Sequence, residues 1–108
     1  MSSAKVVELV LTCGSWQEAQ RIVDKLLELK LIACAEFIPI KSKFSWKGKL
    51  EEAEEIKLVM LSLENIFEKV EKEVRKLHSY ETFVLKALPV SHLSRQAKSW
   101  LQENTNPN

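Results

Sequence analysis

Nowhere in the 108 residues do eighteen apolar residues run together, and Met1 to Val7 holds no long apolar stretch, so the sequence predicts neither a membrane span nor a signal peptide. An excess of one charge is missing as well. Sixteen Lys and Arg stand against fifteen Asp and Glu, a formal net charge of +1, with the signs interleaved and no basic block. That balance supplies no electrostatic footprint for nucleic acid or an anionic membrane. The two cysteines, Cys13 and Cys34, form no Cys-x-x-Cys pair, which argues against a zinc ribbon or a thioredoxin-type redox centre. No linker or low-complexity tract divides the chain. What remains is one globular domain over 1–108, cytoplasmic by default, with 45% hydrophobic residues from which to build a core.

The residues that are present give a short order of elements. Val6 to Thr12, rich in Val and Leu, predicts a strand buried on both faces. Ser15 and Glu18 form a Ser-x-x-Glu capping box ahead of Ala19, Ile22, Val23 and Leu26 at helical spacing. A second strand over Leu31 to Trp46 contains Pro39, which suits an edge or a bulge because proline cannot donate to a ladder. Trp46-Lys47-Gly48-Lys49-Leu50-Glu51 then reads as a hairpin tip leading into a third strand over Leu50 to Leu63. Asn65 with Glu68 repeats the capping box before a second helix on Ile66, Val70, Val74 and Leu77, with Glu68–Lys72 and Glu71–Arg75 as exposed pairs. Thr82 to Val90 predicts a fourth strand. Ser91 or Ser94 caps a short last helix through Ala97, Trp100 and Leu101, the core ends near residue 101, and Gln102 to Asn108 reads as a polar, frayed tail.

This order predicts an α+β fold: a ferredoxin-like βαββαβ antiparallel sheet with two helices on one face and a short C-terminal helix. RNA-recognition domains share the order, but they stack bases on aromatics of the first and third strands, and Val6 to Thr12 and Ile56 to Leu63 contain none. The hairpin arms are longer than one small domain needs, which predicts that they pair with another copy. Both cysteines read as buried apolar residues, Cys34 within Leu31-Ile32-Ala33-Cys34-Ala35 more firmly than Cys13, which ends an apolar run and has no local base.

Leu31-Ile32-Ala33-Cys34-Ala35, the Trp46 to Glu51 turn, Glu55, His78-Ser79-Tyr80-Glu81, Ala87-Leu88-Pro89-Val90 and Trp100-Leu101 resemble, in order and spacing, the landmarks of the CutA divalent-cation-tolerance family. The resemblance runs from about Val6 to Leu101. It implies a homotrimer whose long second and third strands reach neighbouring subunits, a role in tolerance of divalent metals such as copper, and no enzymatic reaction. It is also similar to the trimeric PII signal proteins, which implies a rival: a small ligand bound in a cleft between subunits. A trimeric scaffold without ligand is the third reading. The copper ligands described in some members fall here on Leu11, Leu77 and His78, so one of three remains. Leu61-Ser62 replaces the family's Lys-Thr, Ser79 its Pro within His-Pro-Tyr, and Phe83-Val84 its Pro-Glu.

His78 and Glu81, three apart, offer a borderline and a hard donor and are the candidate metal pair, against the plainer role of a histidine at a helix C-terminus. Glu51, Glu52, Glu55 and a cysteine are the donors an interface would add. The expected cleft comprises Trp46, Glu51, Glu55, His78, Tyr80 and Glu81, brought together by a neighbour's strand, with any copper weakly held.

Overall fold

The computed structural model describes residues 4–106. Its elements are β1 (Val6–Cys13), α1 (Trp16–Glu28), β2 (Cys34–Trp46), β3 (Lys49–Leu63), a 3-10 turn (Glu64–Ile66), α2 (Phe67–Leu77), β4 (Leu85–Pro89) and α3 (Arg95–Asn104). Residues 1–3 and 107–108, on which the leader and tail expectations partly fall, lie outside the described residues. No helix among the described residues is long and apolar enough to cross a membrane.

The four strands form one antiparallel sheet in the order β2-β3-β1-β4. Because side chains alternate along a strand, register decides which residues share a face. Leu9 stands opposite Met60 and Ala87, and Leu11 opposite Leu58 and Leu85, so Val7, Leu9, Leu11 and Cys13 line one face with Leu58 and Met60. The apolar stripes of α1 (Ala19, Ile22, Val23, Leu26) and α2 (Val70, Val74) join these residues in one core, with Leu101 of α3. A fully buried Val or Leu contributes about 1.5–3 kcal/mol, so the helix-covered face, where this core lies, is the main source of apolar stabilisation.

The opposite face is covered differently. Val10 is buried there but lies outside that core, Val6, Glu8 and Thr12 are half-buried, and Ile38 and Leu88 remain 41% and 42% exposed. The expected burial of β1 on both faces is therefore complete only beneath the helices.

Beyond Cys13, which pairs with Ile56, the hairpin continues without a third strand, from Ile40 opposite Glu55 to Trp46 opposite Lys49. Its tip is a two-residue turn in which Lys47 (φ 51°) and Gly48 (φ 79°) are both left-handed, the geometry that matches the twist of a hairpin. The molecule measures 49 × 25 × 21 Å as a result. Pro39 sits on β2, an edge strand, as expected for a residue without an N–H.

Several expected boundaries move. β2 starts at Cys34, because Lys30 turns the chain at φ 58°, Leu31 N–H bonds back to Leu26 O, and Leu31 and Ile32 are drawn into the core. Asn65 does not cap α2: a 3-10 turn follows β3 directly, with the N–H of Phe67 satisfied by Glu64 O and no side-chain cap. Arg75 donates to Glu81 O rather than pairing with Glu71. β4 begins at Leu85, not Thr82. The tail is helical to Asn104, and Thr105 is buried with its hydroxyl donating to Leu101 O at 2.6 Å. Cys34 is only half-buried, whereas Cys13 is wholly buried, the reverse of the expected ranking.

Candidate functional site

The chemistry-bearing residues gather where β1 ends. Ser15 caps α1 as expected, its Oγ accepting from Glu18 N–H at 3.1 Å. The Glu18 carboxylate, however, does not return to the cap. Oε1 accepts from Gly14 N–H at 3.0 Å and Oε2 from Ser79 N–H at 2.6 Å, so one carboxylate ties the β1–α1 turn to the segment after α2. Glu18 is 3% exposed. Burial alone pushes its pKa up, but the hydrogen bonds from Ser79 and Gly14 outweigh this and hold the carboxyl below its ordinary 4.5.

His78 follows α2 in extended conformation, which swings its ring under the end of β1. Tyr80 N–H donates to Nδ1 at 3.1 Å, so Nε2 carries the proton and donates to Thr12 O at 2.8 Å. Phe83 stacks on the ring at 5.2 Å, and the Arg75 guanidinium lies over Phe83 at 4.3 Å. Phe83, a departure from the family pattern, thus covers His78. Cys13 is in the same knot, its thiol pushed up to about 12 by burial and then by the charges of Glu18 and Glu55. It stays protonated at neutral pH.

Tyr80 reaches from this knot to the hairpin. Its hydroxyl donates to Glu55 Oε2 at 2.6 Å, and burial together with that carboxylate raises its pKa. The ring passes close to Gly14, where a Cβ would stand 3.1 Å from Oη, so a side chain there would press on the Tyr80 ring. Phe44, Trp46, Ser79, Tyr80, Glu81 and Thr82 line a cavity of about 340 Å³. Lys47 Nζ lies 5.5 Å from the Trp46 ring centroid and 3.9 Å from the Glu81 carboxylate.

Five of the six expected cleft residues therefore meet within one chain: His78 and Glu55 with Tyr80, and Trp46 with Tyr80 and Glu81 along the cavity. The expectation that only a neighbour's strand would join hairpin and α2 end is corrected. The physical reason is that the segment after α2 crosses the end of β1 and meets the hairpin's own unpaired stretch. Glu51 stands exposed on that stretch opposite Phe44. His78 and Glu81 do not converge as a metal pair, since the His78 ring is buried while Glu81 is 75% exposed and turned to Lys47. Leu11 is core, Leu77 packs against it, and Val84 is 58% exposed. Ser62 is buried and donates to Leu31 O at 2.7 Å, a bond that the hydroxyl of the family's Thr could equally make. Sequence reasoning missed Glu18 as a site residue. Its signal was the capping box, which was read as helix punctuation alone.

The sheet, its helices and this knot behind an overlong hairpin define a small α+β protein whose ligand-type side chains are held by backbone groups. The family described as CutA1 divalent ion tolerance protein matches residues 7–104, and the chain belongs to it. The divalent-cation tolerance protein CutA of Archaeoglobus fulgidus is 38% identical over 95 residues, covering 88% of this chain and 93% of that one. Protein CutA of Mus musculus is 32% identical over 95 residues, 87% of this chain and 54% of that protein. Among solved structures, the A. fulgidus protein, described as a periplasmic divalent cation tolerance protein, superposes with a TM-score of 0.91 at 36% identity, covering 94% of this chain and 99% of that one. CutA1 from Oryza sativa, at 22% identity, has a TM-score of 0.93 and covers 98% of each chain, a likeness of fold alone. The family is named for tolerance of divalent ions, not for a reaction.

Proposed function

We propose that the chain works as a homotrimer in tolerance of, or response to, divalent cations, copper among them, without catalysing a reaction. The observation that carries this reading is the unfinished hairpin. Among the described residues, 40–46 and 49–55 pair only with each other, and a two-stranded ribbon is marginal in water. Phe44 (40% exposed), Trp46 (37%) and Leu50 (78%) sit on it, beside the sheet face where Ile38 and Leu88 are open. Closed threefold pairing of ferredoxin-like subunits would cover these groups and leave no free edge to propagate. In that assembly Trp46, Tyr80 and Glu81 line the cleft, Glu51 and Glu55 stand on the hairpin beside it, and the buried His78 lies behind Tyr80. The 340 Å³ cavity with its aromatic walls favours, as a second reading, a PII-like sensor for a small ligand at the same place. Light scattering at micromolar concentration tests the assembly: the expected mass is three times that of the chain, and a monomer, or a dimer stable to dilution, contradicts it.

A further inference from the structure

Cys13, Glu18 and His78 come from the end of β1, the first turn of α1 and the residue after α2, and one donor atom of each lies within 4.8 Å of the other two. All three are buried. We infer that this triad is a three-donor site for a borderline or soft divalent cation such as Zn(II), Co(II) or Cu(II), an inference that rests on the divalent-cation reading above. Of the three positions where the family resemblance places ligands, His78 takes part, Leu11 and Leu77 do not, and Cys13 and Glu18 are new.

Donor chemistry is the first support. A thiolate, an imidazole and a carboxylate together suit zinc and its first-row neighbours, whereas Mg(II) and Ca(II) favour oxygen throughout. Orientation is the second. The Nε2–H bond to Thr12 O at 2.8 Å fixes the tautomer and leaves Nδ1, which accepts from Tyr80 N–H, 4.0 Å from Glu18 Oε1. A backbone carbonyl holding the far nitrogen is how metal-binding histidines are oriented. Gly14 and Ser79 hold the Glu18 carboxylate in the same manner. Charge is the third. The Glu18 carboxylate and a Cys13 thiolate neutralise a dication, so the pair would not stand as two buried anions.

Binding forms an Sγ–metal bond as the Cys13 thiol releases its proton to solvent, with no change of oxidation state. The donors close to roughly 3.5 Å spacing, as tetrahedral ligands around zinc require. Nδ1 exchanges the Tyr80 N–H for the ion. Ser79 and Tyr80 bond to the triad through their N–H groups and also line the 340 Å³ cavity, so this segment is the wall an entering ion displaces.

Co(II) titration followed by absorption spectroscopy tests the site on the full chain. The native protein and Cys34→Ser are expected to show a thiolate-to-cobalt charge-transfer band. Cys13→Ser, checked as folded by its melting curve, is expected to lack the band and to bind about 100-fold more weakly or worse, at least the loss seen on removing a supporting outer group. In the native protein Zn(II) should shift the His78 Nδ1 resonance in 15N NMR and leave His92 unmoved. A band that survives in Cys13→Ser, or ion binding with neither sulfur band nor His78 shift, overturns the triad while leaving the divalent-cation reading in place. No binding of any of these ions to the native protein overturns both.

Discussion

Glu18→Gln is expected to lower the unfolding free energy by about 2–4 kcal/mol, although it changes one atom and keeps the side chain's shape. The carboxylate accepts from Gly14 N–H and Ser79 N–H with its two oxygens, and an amide accepts with one oxygen only. Its NH2 would face a backbone donor in a place where Glu18 is 3% exposed. The pH dependence follows from the same contacts. Because the folded pKa lies below the unfolded value of 4.5, the stabilisation is fully present above 4.5 and is lost as pH falls through the lowered folded value. Urea unfolding at pH 7 and along an acid series checks both: native protein should lose stability steeply below pH 4.5, and Glu18→Gln should start lower and fall less steeply. A neutral outcome at pH 7 would mean that the turn and the segment after α2 are not coupled through this carboxylate.

Trp46→Ala is expected to have its large effect on assembly. In the single chain Trp46 is 37% exposed at the hairpin tip, flanked by Lys47 and the cavity, so truncation removes little core packing. Packed against another copy it becomes a buried aromatic, whose truncation costs about 3–5 kcal/mol. Comparing oligomer mass on dilution with melting temperature separates the two cases. A variant that dissociates at concentrations where the native protein stays assembled is expected; one indistinguishable from native in both measurements places Trp46 outside any interface.

Much of the fold was legible because period and punctuation agreed. The stripe Ala19, Ile22, Val23 and Leu26 at helical spacing, capped by Ser15, led to α1, and one glycine between alternating patterns located the turn at Lys47 and Gly48. What failed were places where tertiary bonds replace local ones. The start of α2 relies on a backbone 3-10 turn, so the capping pattern at Asn65 misled. Thr105 is held by Leu101 and burial, neither of which a polar tail composition announces. The site was half legible. Tyr80, Glu55 and His78 were recognisable, but Thr12 lies 66 residues from His78 and acts through a backbone atom, and Gly14 and Glu18 are as remote from Tyr80 and His78, which no short spacing encodes. Cys13 has no base among its neighbours in sequence, and only folding brings both His78 and Glu18 within 4.8 Å of it.

Calorimetric titration of Cu(II) into native protein and His78→Gln decides whether divalent cations bind through the knot at the end of β1. The glutamine can retain hydrogen bonds to Thr12 O and Tyr80 N–H, so the variant loses the imidazole with the least disturbance. The prediction is weak copper binding in the native protein, micromolar or above, about −8 kcal/mol or less favourable, because ion entry must displace existing hydrogen bonds and a thiol proton. His78→Gln should abolish it. Nanomolar copper affinity, or binding that His78→Gln leaves unchanged, would contradict the account.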